Sequence, residues 1–348
     1  TEQAPFHIVT PLKESHALSK LAGTTVLMKL ENVQPAGSFK IRGIGHYCQK
    51  LAKKGCTRFV CSSAFTLLPC FGAFAALPYT VHSLSHSHTG GNAGLAAAYA
   101  CRRLALPATI VVPQTTGADI VQKLQDLGAD VVVTGKVWDD ADAHAHQLTE
   151  TPGSVYISPF NHPLVWEGHA SLVCELKASL GSQKPGALVV SVGGGGLLAG
   201  LAEGMKKVGW SDIPIIAMET KGAHCLNAAL EAGKPISLPD ITSVAKCLGA
   251  KTVCDRAYEC TREHKVISIT VDDREAIRAV EMFLDDELMF VEPACGAALA
   301  AVYSGHIQRL QQEGSLKTPL DPIVMVVCGG SGISISQLQH FKSQLNIN

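Results

Sequence analysis

The stretch Ser38-Phe39-Lys40-Ile41-Arg42-Gly43 follows a turn containing Pro35 and Gly37, and it opens an apolar run at helical spacing. This arrangement predicts a helix that begins here, with Ser38 as its cap. The positive end of a helix dipole disfavours an ammonium group in the first turn, so we expect a lowered pKa for the Lys40 amine. A neutral amine is the form of lysine that condenses with a carbonyl group. A lone lysine is usually a solvated surface residue, and it is the neighbouring motifs that favour the functional interpretation of Lys40.

Length and charge limit the classes of protein to consider. The chain has 348 residues and a formal net charge of -1 at pH 7. This length allows two domains, and the balanced charge predicts neither nucleic acid nor a membrane surface as a partner. The 12 cysteines form no C-x-x-C pair, which predicts reduced thiols in a cytoplasmic protein. No secretory signal is visible in residues 1–11.

Short β-branched runs alternate with amphipathic or alanine-rich runs along most of the chain. The strands that we predict are 59–62, 109–112, 131–134, 155–158, 188–192, 215–218 and 324–328, and the helices include 92–104, 120–127, 166–180, 197–208 and 274–285. Continuous apolar strands that alternate with helices predict an α/β fold with parallel-rich sheets covered by helices.

One segment interrupts this alternation. No Lys, Arg, Asp or Glu occurs between Arg58 and Arg102, and residues 65–90 are first apolar and then rich in Ser and His. A membrane span is one interpretation of such a stretch, but Pro69 and Pro78 and the Gly and Ser content argue against a helix. A connection of this length inside a domain favours an insertion or a lid.

A run of four glycines, Gly193 to Gly196, follows a predicted strand and precedes Leu197 at the start of a predicted helix. Glycines allow the backbone to approach an anion closely, and a helix N-terminus attracts negative charge. The run therefore predicts a phosphate site. It matches neither G-x-G-x-x-G nor the nucleoside triphosphate loop.

Three further residues have both a structural and a functional interpretation. Asn92 at a helix start is either a cap or an amide donor to a ligand. Cys328 at a strand end is either a buried hydrophobic residue or a thiol that faces a ligand. Glu219 at a strand end is either a surface charge or a ligand of a cation.

Together these motifs resemble the serine/threonine dehydratase family of fold type II pyridoxal-phosphate enzymes. The resemblance extends over nearly the whole chain and rests on QPAGSFKIRG at 34–43, GGGGL at 193–197, AMET at 217–220, ITSVAK at 241–246, VEPACGA at 291–297 and CGG at 328–330. It implies a two-domain, tryptophan synthase β-like architecture. The large cofactor domain would comprise 1–38 and 156–348, and the small domain would comprise 39–155.

The resemblance also implies a role for each site residue. Lys40 would hold pyridoxal 5'-phosphate covalently and Phe39 would pack on its ring. The phosphate would bind Gly193, Gly194, Gly195, Gly196 and Leu197, the ring hydroxyl would bind Asn92, and Cys328 would face the ring nitrogen. The substrate carboxylate would bind Ser63, Ala64, Gly91 and Asn92, and a potassium-type cation would bind Glu219 and Ala223. A cytoplasmic homodimer acting in amino-acid catabolism and gluconeogenesis is implied as well.

The implied reaction is the dehydration and deamination of L-serine to pyruvate and ammonia, and of L-threonine to 2-oxobutyrate and ammonia. The family pattern is interrupted here, because residues 65–90 separate Ser63 and Ala64 from Gly91 and Asn92. A catalytically impaired or silent cofactor-binding protein is therefore the alternative. Racemization of serine is a weaker one, because relatives that racemize carry a serine where this chain has Ala64.

Overall fold

The computed structural model describes residues 3–63, 91–114, 116–135 and 138–347. The whole insertion, 65–90, and the predicted substrate residue Ala64 lie outside the described residues. Within those residues, no helix is long and apolar enough to cross a lipid bilayer.

The larger of two sheets has six strands in the order β1-β2-β10-β7-β8-β9. β1 pairs with β2 in the antiparallel direction, and the other pairs are parallel. The strands are β1 Leu12–Glu14, β2 Val26–Leu30, β7 Ala187–Ser191, β8 Ile215–Thr220, β9 Val266–Val271 and β10 Ile323–Val327. Because β7, β8 and β10 are buried along their whole length, they lie at the centre of the core.

The smaller sheet has four parallel strands in the order β5-β4-β3-β6. They are β3 Arg58–Ser62, β4 Ala108–Val112, β5 Asp130–Val133 and β6 Ser154–Tyr156. The predicted α/β class with parallel-rich sheets is therefore confirmed. Sequence reasoning missed β1, β2 and β9, because none of them is a continuous apolar run. Lys29 interrupts β2, and β9 contains polar residues and is mostly half-buried.

Helices cover the two sheets. Their ranges are α1 His16–Ala22, α2 Lys40–Lys53, α3 Asn92–Leu104, α4 Ala118–Asp126, α5 Trp138–Leu148, α6 Pro163–Leu180, α7 Gly196–Lys207, α8 Cys225–Ala232, α9 Asp255–Glu263, α10 Asp273–Glu287, α11 Pro293–Tyr303, α12 His306–Gln312 and α13 Ile335–Gln344. α6 packs against both α2 and α7, and it thereby joins the helices next to the two sheets.

A buried ionic cluster anchors the start of α2. The Arg42 guanidinium forms paired hydrogen bonds with Glu31, at 2.7 and 2.8 Å, and with Glu175 on α6, at 2.6 and 2.8 Å. Lys29 Nζ donates to the same Glu175 at 2.6 Å. Buried charges are tolerated when they are paired and hydrogen-bonded in this way. The cluster connects β2, α2 and α6, and its central residue, Arg42, lies two residues after Lys40 on α2.

Candidate functional site

A cavity of about 110 Å³ lies where the carboxyl ends of β7 and β10 meet the N-terminal ends of three helices, α2, α3 and α7. Among its lining residues are Phe39, Lys40, Asn92, the run Gly193 to Leu197, Cys247, Glu292 and Cys328. Ligands of α/β proteins bind at this edge of a parallel sheet. The cavity thus brings together all of the residues that the resemblance assigned to the cofactor.

Lys40 is the first residue of α2, and its amine donates to the carbonyl oxygen of Pro159 at 2.7 Å. Burial lowers the pKa of this amine from 10.5 to about 8. The direction of the shift agrees with the expectation from sequence, but its main cause is burial rather than the helix dipole.

Ser38 does not cap α2, so that prediction was wrong. The capping position belongs to Phe39, which is already in a helical conformation, and the buried Ser38 hydroxyl has no partner among the described residues. Ser38 instead pairs with Gly329 in an antiparallel bridge, and the Phe39 amide donates to the Cys328 carbonyl oxygen at 3.0 Å. This pairing brings the loop after β10 next to the lysine.

The glycine run has the geometry of an anion cradle. Gly195 has a φ of +89°, and a Cβ atom there would lie 2.4 Å from Ala257 Cβ. A Cβ atom at Gly194 would lie 2.5 Å from the ring of Phe160. Within the described part of the chain, the amides of Gly193, Gly194 and Gly195 have no hydrogen-bond acceptor. They lie just before the N-terminus of α7 and are available to a phosphate group.

Cys328 follows β10 and is buried, with its Sγ atom 3.3 Å from the hydroxyl of Ser191 at the end of β7. The contact arises because β7 and β10 are parallel neighbours, so that their carboxyl ends lie side by side. Cys328 and the glycine run thus line the same cavity. The cysteines that the structure describes are all free.

The described residues on the two sides of the insertion lie close together in space. Ser63 follows β3 and is buried, and its amide donates to the Val111 carbonyl oxygen at 3.0 Å. Gly91 precedes α3 and is also buried. A Cβ atom added to Gly94 would lie 3.2 Å from Ser63 Oγ, so the two parts of the predicted carboxylate loop are neighbours.

Glu219 lies inside β8 and not after it, because the strand extends to Thr220. Its carboxylate is fully buried and accepts hydrogen bonds from the amides of Leu226 at 2.9 Å and Asn227 at 2.8 Å. Burial raises the pKa of this group to about 8. Ala223 is buried nearby, and its amide donates to the Thr220 carbonyl oxygen at 2.9 Å.

Sequence reasoning did not assign a role to Glu292. This residue immediately precedes α11, is 2% exposed and lines the cavity. Its carboxylate accepts from Asn92 Nδ2 at 2.7 Å and from the Gly332 amide at 2.7 Å. The available signal was an acidic residue directly before Pro293 at the start of an apolar helix, within a motif that the resemblance included.

Residues 4–329 match the family described as pyridoxal-phosphate dependent enzymes. The chain belongs to this family. It is 57% identical to "Serine dehydratase-like" of Mus musculus over 341 residues, which are 98% of this chain and 95% of the relative. It is 54% identical to "L-serine dehydratase/L-threonine deaminase" of Homo sapiens over 344 residues, 99% of this chain and 97% of the relative.

Solved structures agree with these relatives. A fungal L-serine ammonia-lyase from Rhizomucor miehei superimposes on this pyridoxal-phosphate dependent enzyme with a TM-score of 0.85 and 33% identity. The match covers 97% of this chain and 99% of the fungal chain. The expected fold type II architecture is thereby confirmed.

The cavity fits pyridoxal phosphate. The cofactor requires an amine that reacts with its aldehyde and a cradle for its phosphate. Lys40 supplies an amine whose pKa is lowered to about 8. Gly194 and Gly195 form the cradle, and side chains at these two positions would occupy its space. These residues line the same cavity, so one ligand can contact both.

Proposed function

We propose that this protein converts L-serine to pyruvate and ammonia, and L-threonine to 2-oxobutyrate and ammonia. The relatives named for this chemistry match the chain almost end to end. The observation that carries the proposal is the Lys40 amine, with its lowered pKa, in a cavity shared with the glycine run and Cys328. The names of the relatives do not favour the catalytically silent alternative.

Each residue that the resemblance assigned to the cofactor has a role in this proposal. Lys40 would bind the cofactor covalently, with the ring against Phe39 and the phosphate on the amides of Gly193 to Leu197. When bound, the cofactor supplies an electron sink that acidifies the α-hydrogen of an amino acid. Asn92 would donate to the ring hydroxyl, and the Cys328 thiol would face the ring nitrogen.

Lys40 also moves the proton in the proposed reaction. Its released amine would take the proton from the substrate α-carbon, since an amine with a pKa near 8 is suited to accept a proton near neutral pH. The carbonyl oxygen of Pro159, 2.7 Å from Nζ, would hold the amine during this step. The β-hydroxyl would then leave the β-carbon and, balanced by the proton taken from the α-carbon, would depart as water. The product, 2-aminoacrylate, would react with water after release to give pyruvate and ammonia.

The substrate carboxylate would bind the loop formed by Ser63, Ala64, Gly91 and Asn92. The support for this assignment is the proximity of Ser63 and Gly94. In addition, the capping residue of α3 is Gly91, which has no side chain to cap the N-terminus of this helix at Asn92. A helix N-terminus is a favourable environment for a carboxylate.

The decisive experiment measures pyruvate and 2-oxobutyrate release by the protein loaded with cofactor. We expect both products, and we expect none from Lys40→Ala. Lys246 is the matched control, because it lines the same cavity and its amine donates to a carbonyl oxygen, that of Ile241, at 2.8 Å. After borohydride reduction the adduct should stay on Lys40 in Lys246→Ala. Cofactor bound without either product would refute the proposed activity.

We also propose a potassium-type cation at Glu219 and Ala223. Hard cations bind carboxylate and carbonyl oxygens, and Glu219 is a buried carboxylate that forms no ion pair with the described residues. K⁺ should raise the melting temperature relative to tetramethylammonium ion, and Glu219→Gln should remove this response. Glu231→Gln, on the exposed face of α8, should retain it. An equal response in the two variants would refute the site.

The remaining implications of the resemblance are proposals as well. They are a division into a large domain of 1–38 and 156–348 and a small domain of 39–155, a homodimer, and a cytoplasmic role in amino-acid catabolism and gluconeogenesis. The two sheets, each with its own buried cluster, support the division into domains. Light scattering on the purified protein tests the dimer, and cell fractionation tests the location.

A further inference from the structure

We propose that Glu292 is a positioning residue that orients the Asn92 side chain toward the cofactor. This inference rests on the role of Asn92 in the proposed function. Glu292 is 2% exposed, yet it contacts the cavity and has no cationic side chain as a hydrogen-bond partner among the described residues. A carboxylate in such a place is expensive to bury unless its oxygens accept hydrogen bonds.

The two Glu292 oxygens accept from different parts of the fold. Oε2 accepts from Asn92 Nδ2 at 2.7 Å, at the start of α3 beside the four-stranded sheet. Oε1 accepts from the Gly332 amide at 2.7 Å, in the loop after β10 of the six-stranded sheet. Glu292 therefore connects the start of α3 to the loop after β10 at the border of the cavity.

This contact determines which end of the Asn92 amide faces which neighbour. The oxygen and nitrogen of an asparagine amide have nearly the same shape, so hydrogen bonds alone select the orientation. An ionised carboxylate only accepts, and it therefore selects Nδ2. On the other side, the Ser331 hydroxyl donates to Asn92 Oδ1 at 3.2 Å. Glu292 and Ser331 thus favour one and the same orientation.

The selected orientation leaves one Nδ2 hydrogen for a ligand. Its second neighbour is Cys247 Sγ at 3.7 Å, and a thiol is a weak acceptor. Burial and the nearby Glu292 carboxylate raise the pKa of the Cys247 thiol, which keeps it neutral. The hydrogen is therefore available to the ring oxygen of the cofactor. With the amide reversed, Oδ1 would face Glu292 and repel it.

A double-mutant cycle on cofactor affinity tests this inference. The dissociation constant of pyridoxal phosphate is measured on the apoproteins of wild type, Glu292→Gln, Asn92→Ala and the double variant. We expect Glu292→Gln to weaken binding by about tenfold or more, as for loss of a hydrogen bond to a charged group. In the Asn92→Ala background the same change should have no further effect, because Glu292 acts through Asn92. Effects that multiply would overturn the inference.

Further variants keep the result interpretable. Ser331→Ala removes the donor on the opposite side of the amide, and it too should weaken binding only when Asn92 is present. If Glu292→Gln does not fold, Glu292→Asp, whose shorter side chain draws the carboxylate away from Asn92 Nδ2, takes its place in the cycle with the same expected outcome. Glu275→Gln is the matched control, since Glu275 belongs to the capping box of α10 outside the cavity. It should leave cofactor affinity unchanged, since glutamine can keep the hydrogen bond of the capping box.

The cycle does not depend on turnover. If wild type binds the cofactor and releases no pyruvate, the proposed function fails while the coupling between Glu292 and Asn92 is still measured. If pyruvate is produced and the effects multiply, only the positioning role of Glu292 fails. The absorption band of the bound cofactor gives an independent readout, which should shift in Glu292→Gln and not in Glu275→Gln.

Discussion

Gly94 and Ser63 are neighbours in space, although residues 65–90 separate them in sequence. A Cβ atom at Gly94 would lie 3.2 Å from both Cβ and Oγ of Ser63. Ser62, the last residue of β3, is held by a hydrogen bond from its hydroxyl to Asp142 at 2.5 Å. The two flanks of the insertion thus lie where a short loop can connect them.

Deletion of residues 65–90 should raise serine deamination. It joins Ala64 to Gly91 and restores the uninterrupted loop of the family, and a displacement of about 1 Å in a catalytic group can cost on the order of 100-fold in rate. The measurement is pyruvate release per bound cofactor. A Gly/Ser segment of the same length is the control that separates the length of the insertion from its apolar composition. A folded deletion protein without any gain would contradict this prediction.

The reactivity of the Lys40 amine should follow a titration near pH 8. Burial lowers its pKa from 10.5 to about 8, so the amine becomes reactive as the pH rises through 8. Competitive labelling of the apoprotein with acetic anhydride, read by mass spectrometry of the Lys40 peptide, gives the midpoint. In the denatured protein the midpoint should return toward 10.5. Equal midpoints in the two states would contradict the burial of the amine.

Gly195→Ala should weaken cofactor binding at least tenfold and lower the free energy of unfolding. The substitution places a side chain on a residue with a left-handed backbone conformation, and the new methyl group would clash with a neighbouring side chain. Gly195 has a φ of +89°, and the new methyl group would lie 2.4 Å from Ala257 Cβ. Together these effects cost roughly 2–5 kcal/mol. Gly233→Ala is the control, because Gly233 has a φ of +67° with open space around it. It should reduce only the free energy of unfolding, by about 1 kcal/mol, and its cofactor affinity should equal that of wild type.

Arg42→Met should lower the free energy of unfolding by about 3–5 kcal/mol, because it leaves the fully buried Glu31 carboxylate without its charged partner. Urea unfolding followed by circular dichroism measures the loss. The control is Lys184→Met, which breaks an exposed pair with Asp212 and should cost less than about 1 kcal/mol. Similar losses in the two variants would mean that the Arg42 cluster contributes little to stability.

Local sequence predicted the parts of the site that depend on neighbours in the chain. The helix at 92–104 has the bounds that we expected, and the glycine run opens α7 at Gly196. Ser38 was misassigned because its position matches a cap, whereas its backbone pairs with Gly329. Strand β2 was missed because Lys29 interrupts the apolar pattern, and the hydrogen bonds from its amine to Glu175 and to the Thr10 carbonyl oxygen explain its burial.

By itself the sequence determined the α/β class and the family resemblance, and it predicted Lys40 as the reactive lysine, because these depend on short motifs and periodic patterns. Only the tertiary structure decided that burial lowers the pKa of Lys40, that Ser63 meets Gly94, and that Glu292 holds Asn92. Parallel strands bring together the ends of segments that are far apart in sequence. Desolvation and hydrogen-bond partners follow from that assembly, and no local pattern of residues encodes them.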